Sequence, residues 1–279
     1  MKQIDLHIHT TASDGTFTPE EAARYAAEKG LAAIAITDHD TAAGAINAAA
    51  LTAQYGVEVI PGIELSTDYR NLGVHILGYF IDPQSPALNS VLEWVIEERR
   101  RRNGEIAGLM RRDGVDVSLD LLAGRFPGTV IGRPHFAAVL VEQGRCQSVD
   151  EAFERYLSPG MRYYRPRRYM PVREAFDVIQ KAGGKAVFAH PFQYRLPEPE
   201  LLELTRCLTE CGCVGMECLY SGYSKQQSDY LMDLAARFGL CVTGGSDFHG
   251  KRKPHIDMGS GTGELCVPYE LLERLREAR

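Results

Sequence analysis

Short apolar, β-branched runs alternate along the chain with segments of helical periodicity. Runs of about four to eight residues separated by helical patterns are typical of βαβ units and a parallel sheet. The pattern therefore predicts an α/β protein built on parallel strands. Seven runs qualify as strands, at residues 3–9, 32–37, 57–64, 74–80, 185–190, 213–219 and 240–245.

Helix end signals lie between these runs. Thr18-Pro19-Glu20-Glu21 has the form of a capping box with proline at the first helical position, and Gly30 follows that helix. Glycine or proline also marks the ends of later helical patterns. We expect further helices at residues 42–55, 171–183 and 224–238, and a last one from Pro268.

The alternation stops between residues 88 and 168. Long charged helical stretches, 93–112 and 148–157, occupy this part of the chain without convincing strand patterns. We interpret residues 91–167 as a helical insertion that contributes to substrate binding. Residues 1–90 and 168–279 then form the main α/β domain.

Potential metal ligands lie at or near the ends of the apolar runs. His7 and His9 share one face of the first strand with Asp5, because side chains alternate along a strand. The carboxyl ends of parallel strands meet at one mouth of a barrel, so the remaining candidates should converge there. Imidazole and carboxylate groups gathered in one place favour divalent cations, which predicts a multi-metal hydrolase. The remaining candidates are Asp14, His39, Glu64, His75, His190, Asp247 and His249.

Three other acidic residues have less certain roles. Asp38 and Asp40 flank His39 and are better placed as turn residues or as groups that orient ligands. Glu217 lies in a predicted strand, where burial beside the site and a role in orienting a ligand are equally compatible with the sequence.

Composition narrows the class of protein. A net charge of −6 argues against a broad basic surface for nucleic acid, although bound metals could still attract a phosphate. No apolar run reaches the ~18–20 residues of a membrane helix, and the N-terminus does not resemble a signal peptide. Seven irregularly spaced cysteines favour a cytoplasmic location. We interpret Cys207 and Cys211 as one apolar helix face rather than as zinc ligands.

At the histidine and carboxylate motifs the sequence resembles the polymerase and histidinol phosphatase (PHP) family. The motifs are DLHIHT at 5–10, SDG at 13–15, TDHD at 37–40, GIE at 62–64, AHP at 189–191 and GSDFH at 245–249. The resemblance covers essentially the whole chain. It implies a distorted, TIM-like barrel of seven strand–helix units that binds three divalent ions, with Mn²⁺ expected and Fe²⁺ or Zn²⁺ as alternatives.

The resemblance also implies which residues bind each ion. His7, His9, Glu64 and Asp247 would bind the first ion. Glu64 would bridge to a second ion, completed by His75 and His190, and Asp14, His39 and His249 would bind the third. Asp247, His249 and His190 would take part in catalysis.

With a carboxylate at position 14, the sequence resembles one branch of the family, which acts on nucleotides and RNA. That branch removes the 3′-phosphate of 3′,5′-bisphosphonucleotides (pAp to AMP) or takes nucleotides from the 5′-phosphorylated end of short RNA. Its substrate-binding elements correspond here to Arg102-Asn103 and Arg133-Pro134-His135. Without the resemblance, residues 99–102 would be interpreted as a solvated helix face. Whether Arg165, Arg167 and Arg168 contact phosphate is left undecided by the sequence.

The expected partner is therefore a small nucleotide or a short 5′-phosphorylated RNA, with no membrane and no stable protein partner. One enzyme alternative is a histidinol-phosphate phosphatase, whose cationic substrate would favour acidic groups over the arginine-rich insertion. Another is an exonuclease on longer DNA. An alternative of a different class is a metal-binding regulatory module without turnover, which would be expected to show gaps among the ligands.

Overall fold

The computed structural model describes residues 2–278. Its strands are β1 (Gln3–Ile8), β2 (Ala33–Ile36), β3 (Glu58–Tyr69), β4 (Leu72–Tyr79), β5 (Met170–Pro171), β6 (Lys185–Phe188), β7 (Gly215–Tyr220), β8 (Cys241–Gly245) and β9 (Val267–Pro268). Its α-helices are α1 (Pro19–Glu28), α2 (Ala48–Tyr55), α3 (Pro86–Arg112), α4 (Leu119–Arg125), α5 (Arg133–Glu142), α6 (Val149–Ala152), α7 (Val172–Lys181), α8 (Glu198–Glu210), α9 (Lys225–Arg237) and α10 (Tyr269–Glu277).

All seven predicted strands are present, and β5 and β9 are short additions to them. The sheet order is β8-β7-β6-β4-β3-β2-β1-β9, and β5 pairs with β3. Most neighbouring pairs are parallel, as predicted. The fold is a distorted α/β barrel, with helices packed around the sheet.

The expectation of a wholly parallel barrel is wrong at β4. This strand pairs antiparallel with both β3 and β6. The cause is a two-residue hairpin turn at Arg70 and Asn71, whose φ angles of 52° and 68° are left-handed, as a type I′ turn requires. Because β3 runs on to Tyr69, its Glu64 lies inside a strand rather than at its end.

The barrel closes between β1 and the segment that follows β8. The His7 carbonyl accepts a hydrogen bond from the Asp247 N–H at 2.9 Å, and the His9 N–H donates to the Phe248 carbonyl at 2.9 Å. Two of the predicted metal-ligand segments therefore form the seam of the barrel.

Helix ends follow the sequence signals in most places. The Thr18 capping box of α1 is present, and Gly30 follows the helix at a φ of 71°. The helix expected at residues 42–55 is shorter: Ala43–Ala45 forms a single 3₁₀ turn, and α2 begins at Ala48. Gly44 lies in the 3₁₀ turn, where a Cβ would lie 2.2 Å from the Asp38 carboxylate. The chain here is packed against the loop of the site.

Helices α3 to α6, followed by a π-helical turn at Phe153–Leu157, lie between β4 and β5. They enclose an apolar cluster of their own, which includes Ile106, Phe136, Leu140 and Tyr163. Helix α3 begins at Pro86, so the domain boundary expected near residue 90 falls within this helix. Across residues 2–278, no helix combines the length and apolar character needed to cross a membrane.

Candidate metal centre and adjoining arginine cavity

The nine predicted metal ligands converge at one mouth of the barrel. His7 belongs to β1 and His9 follows it, and their Nε2 atoms lie 3.2 Å apart. Strands β3 and β4 contribute Glu64 and His75, and the loops after β1 and β2 contribute Asp14 and His39. His190 follows β6, and Asp247 and His249 follow β8. The convergence of residues 7 to 249 that the sequence predicted is therefore found in the structure.

Glu64 lies at the centre of the cluster and is buried. Its Oε1 atom lies 2.8 Å from His75 Nδ1 and 2.9 Å from His190 Nε2. Its Oε2 atom lies 2.9 Å from His39 Nδ1, 3.2 Å from His9 Nε2 and 3.3 Å from His7 Nε2. One carboxylate thus faces five imidazole rings.

Asp247 and Asp14 complete the cluster on the β8 side. Asp247 Oδ1 lies 3.1 Å from His9 Nε2 and 3.6 Å from His7 Nε2. Asp14 Oδ1 lies 3.2 Å from His249 Nε2. Ligand atoms within 4.8 Å of one another form four overlapping groups: His7, His9 and Asp247; His7, Glu64 and His190; His39, Glu64 and His75; and His9, Asp14, His39 and His249.

These atoms fit divalent cations. Metal–nitrogen and metal–oxygen bonds of about 2.0–2.2 Å place two ligands of one ion roughly 3.0–3.5 Å apart, close to the separations around Asp247 and Glu64. His39 Nδ1 is buried, and it has no hydrogen-bond partner with suitable geometry within residues 2–278. Buried polar atoms without partners are rare, and a cation would satisfy this one.

Glu217 orients two of the predicted ligands. Its Oε1 atom accepts a hydrogen bond from His7 Nδ1 at 2.9 Å, and its Oε2 atom accepts from the His190 N–H at 2.8 Å. A carboxylate on the far nitrogen of a metal-binding histidine fixes the ring and its tautomer. The role that the sequence left open is therefore the orienting one.

Two other acidic residues stabilise loops of the site. Asp38 accepts hydrogen bonds from the Thr10 N–H at 2.8 Å and from the Ser13 hydroxyl at 2.6 Å. Asp5 shares the strand face of His7 but accepts from the Ser246 N–H at 2.8 Å and the Gly259 N–H at 2.8 Å. Asp5 thus ties β1 to the segment after β8 and does not join the ligand cluster.

A cavity of about 140 Å³ adjoins the metal ligands and carries a high density of positive charge. Asp14, His39 and His75 line one side, and helices and loops of the insertion line the other. We call this space the arginine cavity, after four of its lining residues, Arg99, Arg102, Arg133 and Arg167.

One buried carboxylate balances part of this charge. Asp40 Oδ2 accepts hydrogen bonds from Arg99 Nε at 2.9 Å and from Arg167 Nη2 at 2.9 Å. Arg102 has no such partner: its Nε is buried without a hydrogen bond within the described range. Burial, together with the charges of Arg99, Arg167 and Arg133, lowers the pKa of Arg102 to about 9. The cavity therefore carries an excess of positive charge.

The sequence pattern of the PHP domain matches residues 5–159. The chain belongs to the PHP domain family. It is 36% identical over 257 residues to the 5′-3′ exoribonuclease Rnm of Escherichia coli, covering 91% of this chain and 87% of that protein. It is 33% identical over 267 residues to a 3′,5′-nucleoside bisphosphate phosphatase of Chromobacterium violaceum, covering 93% of this chain and 91% of that protein.

A further relative is named for a different activity. The chain is 35% identical over 259 residues to a phosphoribosyl 1,2-cyclic phosphate 1,2-diphosphodiesterase of Eggerthella lenta, covering 90% of this chain and 97% of that one. Among solved structures, a Bifidobacterium adolescentis protein provisionally described as a metal-dependent phosphoesterase superposes with a TM-score of 0.88. That pair is 31% identical and covers 98% and 95% of the two chains. The PHP barrel predicted from the motifs is thus confirmed.

In this PHP-domain protein, two of the four predicted substrate-binding residues line the arginine cavity. Arg102 and Arg133 do so. Asn103 and His135 lie outside the lining: Asn103 Nδ2 donates to the Ile131 carbonyl at 2.9 Å, and His135 Nδ1 accepts from the Gly132 N–H at 3.0 Å. Both shape the loop that leads into α5. His135 is also fully buried against Phe126.

Several residues of the PHP site were not among the predicted ones. Arg99 and Arg167 line the arginine cavity. Lys253 Nζ and the Tyr220 hydroxyl each donate to Asp247 Oδ2 at 2.7 Å. Arg99 could have been found, because it continues the helical spacing of the buried Leu88, Leu92 and Val95. An arginine within an apolar stripe faces the protein, not solvent.

Three site residues adopt strained backbone conformations. Asp40, His190 and Asp247 have φ angles of 54°, 29° and 57° without being glycine. Such conformations cost of order 1–3 kcal/mol each and are concentrated at functional sites. Here they turn side chains into the site at the points where the chain leaves a strand or turns beside one.

Neighbouring histidine and lysine side chains lower the pKa values of two acidic candidate ligands. Burial opposes ionisation of Glu64, but His39, His75 and His7 together hold its pKa well below the usual range. The pKa of Asp247 is also held low, against burial, by Lys253 and His249. Both carboxylates are consequently ionised at neutral pH and available to cations.

Proposed function

We propose that the chain is a phosphohydrolase with three divalent metal ions, acting on nucleotides that carry two phosphates. Its substrate would be a 3′,5′-bisphosphonucleotide, from which it removes the 3′-phosphate, or a short 5′-phosphorylated RNA, from which it removes the first nucleotide. The observation that supports this most strongly is the arginine cavity, which has metal ligands on one side and four guanidinium groups on the other. Such a space suits two anionic groups held a short distance apart.

The proposed metal ligands are those that the sequence resemblance implied. His7, His9, Glu64 and Asp247 would hold the first ion, Glu64, His75 and His190 the second, and Asp14, His39 and His249 the third. Overlap among the four ligand groups, with Glu64 shared, supports a multinuclear centre. Mixed histidine and carboxylate ligands accept Mn²⁺, Fe²⁺ or Zn²⁺, of which we expect Mn²⁺.

Divalent ions in such a site would lower the pKa of bound water and neutralise charge on the phosphoryl oxygens. Asp247 Oδ1 would accept a hydrogen bond from the attacking water and orient it, because Lys253 and Tyr220 already hold its Oδ2 atom. Glu217 would keep His7 in one tautomer. His249, beside Asp14, would position the phosphoryl group.

The arginine cavity would hold the phosphate that does not react. Four guanidinium groups face two carboxylates, Asp40 and Asp14, so the cavity carries an excess of positive charge that a phosphate dianion would offset. Arginine binds phosphate through a planar, bidentate fork. Binding energy from the distant phosphate would then position the reacting one.

The same charge argues against the histidinol-phosphate alternative. That substrate carries an ammonium group, and the carboxylates beside the arginines are already engaged: Asp40 is paired with Arg99 and Arg167, and Asp14 is a proposed metal ligand. The module without turnover is disfavoured because the catalytic relatives align over about nine tenths of the chain. A longer DNA substrate has no matching basic surface in a chain of net charge −6.

The test is a substrate panel with the Mn²⁺-loaded protein. We expect release of phosphate from pAp and of mononucleotides from 5′-phosphorylated oligoribonucleotides, with little turnover of histidinol phosphate or of a phosphoribosyl 1,2-cyclic phosphate. His7→Ala and Asp247→Ala should abolish turnover. Preferential turnover of histidinol phosphate or the cyclic phosphate, or full activity of either variant, would contradict the proposal.

The phosphate-binding role is tested separately with neighbouring arginines. Arg102→Met should raise KM for pAp about 10- to 150-fold with a smaller change in kcat, since a charged hydrogen bond contributes ~1.5–3 kcal/mol. Arg133→Ala should act in the same direction. Arg100 is exposed on the same helix, so Arg100→Met is the matched control and should leave KM unchanged. An unchanged KM for Arg102→Met would remove the arginine cavity from the substrate site.

A further inference from the structure

The one tryptophan of the chain, Trp94, lies on α3 with 41% of its surface exposed. It lines a groove of about 560 Å³ together with Arg167, Arg168, Tyr169, Asp68 and Glu174, which we call the Trp94 groove. Its volume lies within the roughly 300–1,000 Å³ typical of small-ligand sites. An exposed indole beside a guanidinium in such a groove is a surface prepared for a ligand rather than a packed core residue.

The Trp94 groove adjoins the arginine cavity. Arg167 and Tyr169 line both spaces. The Tyr169 ring lies against Gly73, where a Cβ would be 3.8 Å from it, and Gly73 precedes the proposed ligand His75 by two residues on β4. A bound nucleotide strand that leaves the metal centre past His75 would therefore cross Tyr169 and enter the Trp94 groove.

We propose that the Trp94 groove holds the nucleotide that follows the scissile phosphate of a short 5′-phosphorylated oligoribonucleotide. The base stacks on the Trp94 indole, and the next phosphate contacts Arg168. This inference rests on the proposed function and adds a second binding position to it. Stacking is sequence-tolerant because every base has a π-face, as a degradative enzyme requires.

The charges of the Trp94 groove limit the length of that substrate. Asp68 and Glu174 face the same space as Arg167 and Arg168, so the groove has no net excess of positive charge. Asp68 is partly engaged, since its Oδ2 atom accepts from the Asn71 N–H at 3.3 Å. A continuous strand of phosphates would meet these carboxylates, and the groove therefore suits one or two further nucleotides.

The experiment compares pAp with the trinucleotide pApApA on the Mn²⁺-loaded protein. Trp94→Ala should raise KM for pApApA about 5- to 150-fold, the equivalent of ~1–3 kcal/mol of stacking, and leave KM for pAp unchanged. Trp94→Phe should retain most of the affinity. Ile96→Ala is the matched control, because Ile96 is also exposed on α3, and it should change neither constant.

Binding is also measured directly by the fluorescence of Trp94, which no other tryptophan obscures. In protein treated with a chelator, pApApA should quench the emission more strongly than pAp. If KM changes equally for both substrates, or if pApApA is unaffected in KM and in quenching, the inference is wrong. If light scattering shows that Trp94→Ala turns a dimer into a monomer, the groove is a protein interface instead.

Failure of the inference and failure of the proposed function give different results. Wild-type protein that cleaves neither pAp nor pApApA contradicts the proposed function. If the wild-type protein cleaves pAp normally and Trp94→Ala has no selective effect on pApApA, only the proposed role of the Trp94 groove is contradicted.

Discussion

Replacement of the buried Asp40 by asparagine should destabilise the protein strongly, and phosphate should reverse much of the loss. Asp40 is the carboxylate that balances Arg99 and Arg167, and it also accepts a hydrogen bond from the Ser66 N–H at 2.8 Å. Burial opposes its ionisation, but the two arginines hold its pKa far below the usual range. Asparagine has nearly the same shape and tolerates the φ of 54° at this position, so Asp40→Asn removes the charge and one acceptor oxygen without a change of size.

The magnitude follows from the two guanidinium contacts. A unit charge about 4 Å from another contributes roughly 4 kcal/mol at an effective dielectric constant near 20, before the cost of desolvation. Removing one partner of a buried ion pair typically costs about 3–5 kcal/mol, because the other charge remains buried and unpaired. We expect the free energy of unfolding to fall by that amount in Asp40→Asn.

The assay is urea denaturation with and without inorganic phosphate. A ligand that binds only the folded state stabilises it by about 2.7 kcal/mol at a hundred times its Kd, and the variant should bind phosphate more tightly than the wild type. Asp229→Asn is the matched control: Asp229 pairs with Lys225 on an exposed helix surface, where the loss should be below about 1 kcal/mol. A loss of less than 1 kcal/mol in Asp40→Asn, or a loss that phosphate does not reduce, would refute the account of the arginine cavity.

Three further predictions concern the metal centre and its surroundings. Glu217→Gln should weaken Mn²⁺ binding about 10- to 100-fold, measured by calorimetry on metal-free protein, since Glu217 fixes the His7 ring; unchanged affinity would exclude the orienting role. Chelation should lower Tm and Mn²⁺ should restore it, because the ions bind only the assembled site; a constant Tm would argue against a metal centre. Burial lowers the pKa of His135 to about 4 in the folded protein. As pH falls, the unfolded chain therefore protonates this imidazole before the folded protein does, and the free energy of unfolding decreases from pH 6.5 to about pH 4. His135→Gln should remove up to ~3 kcal/mol of that acid sensitivity in urea melts at pH 7 and pH 4.5, and an unchanged difference would contradict the assignment.

The sequence predicted the strands well because buried strands combine short length with β-branched residues. It did not predict the direction of β4, since an apolar run has the same pattern in a parallel and in an antiparallel strand. The signal lay in the short connection between β3 and β4, because two residues are too few for a parallel crossover. The strand pattern assigned to residues 57–64 ended too early for this connection to be seen.

The clustering of the candidate metal ligands was predictable because histidine and aspartate at strand ends serve little purpose in an apolar core. The predicted substrate-binding residues were harder to place from the sequence. Asn103 and Arg102 are neighbours in sequence, yet Arg102 lines the arginine cavity while Asn103 bonds the Ile131 carbonyl. Which side of a helix faces a cavity depends on the packing of the whole insertion. Arg167 and Lys253 lie in irregular segments, where no periodicity indicates direction.

The seam between β1 and the segment after β8 has a consequence for how the protein is made in the cell. Residues at the two ends of the chain, such as His7 and Asp247, meet there and close the barrel together. A nascent chain therefore lacks half of the seam until the segment that follows β8 has left the ribosome. Until then it can neither close the barrel nor bring His7 and Asp247 together, so the candidate site should assemble only after that segment has been made.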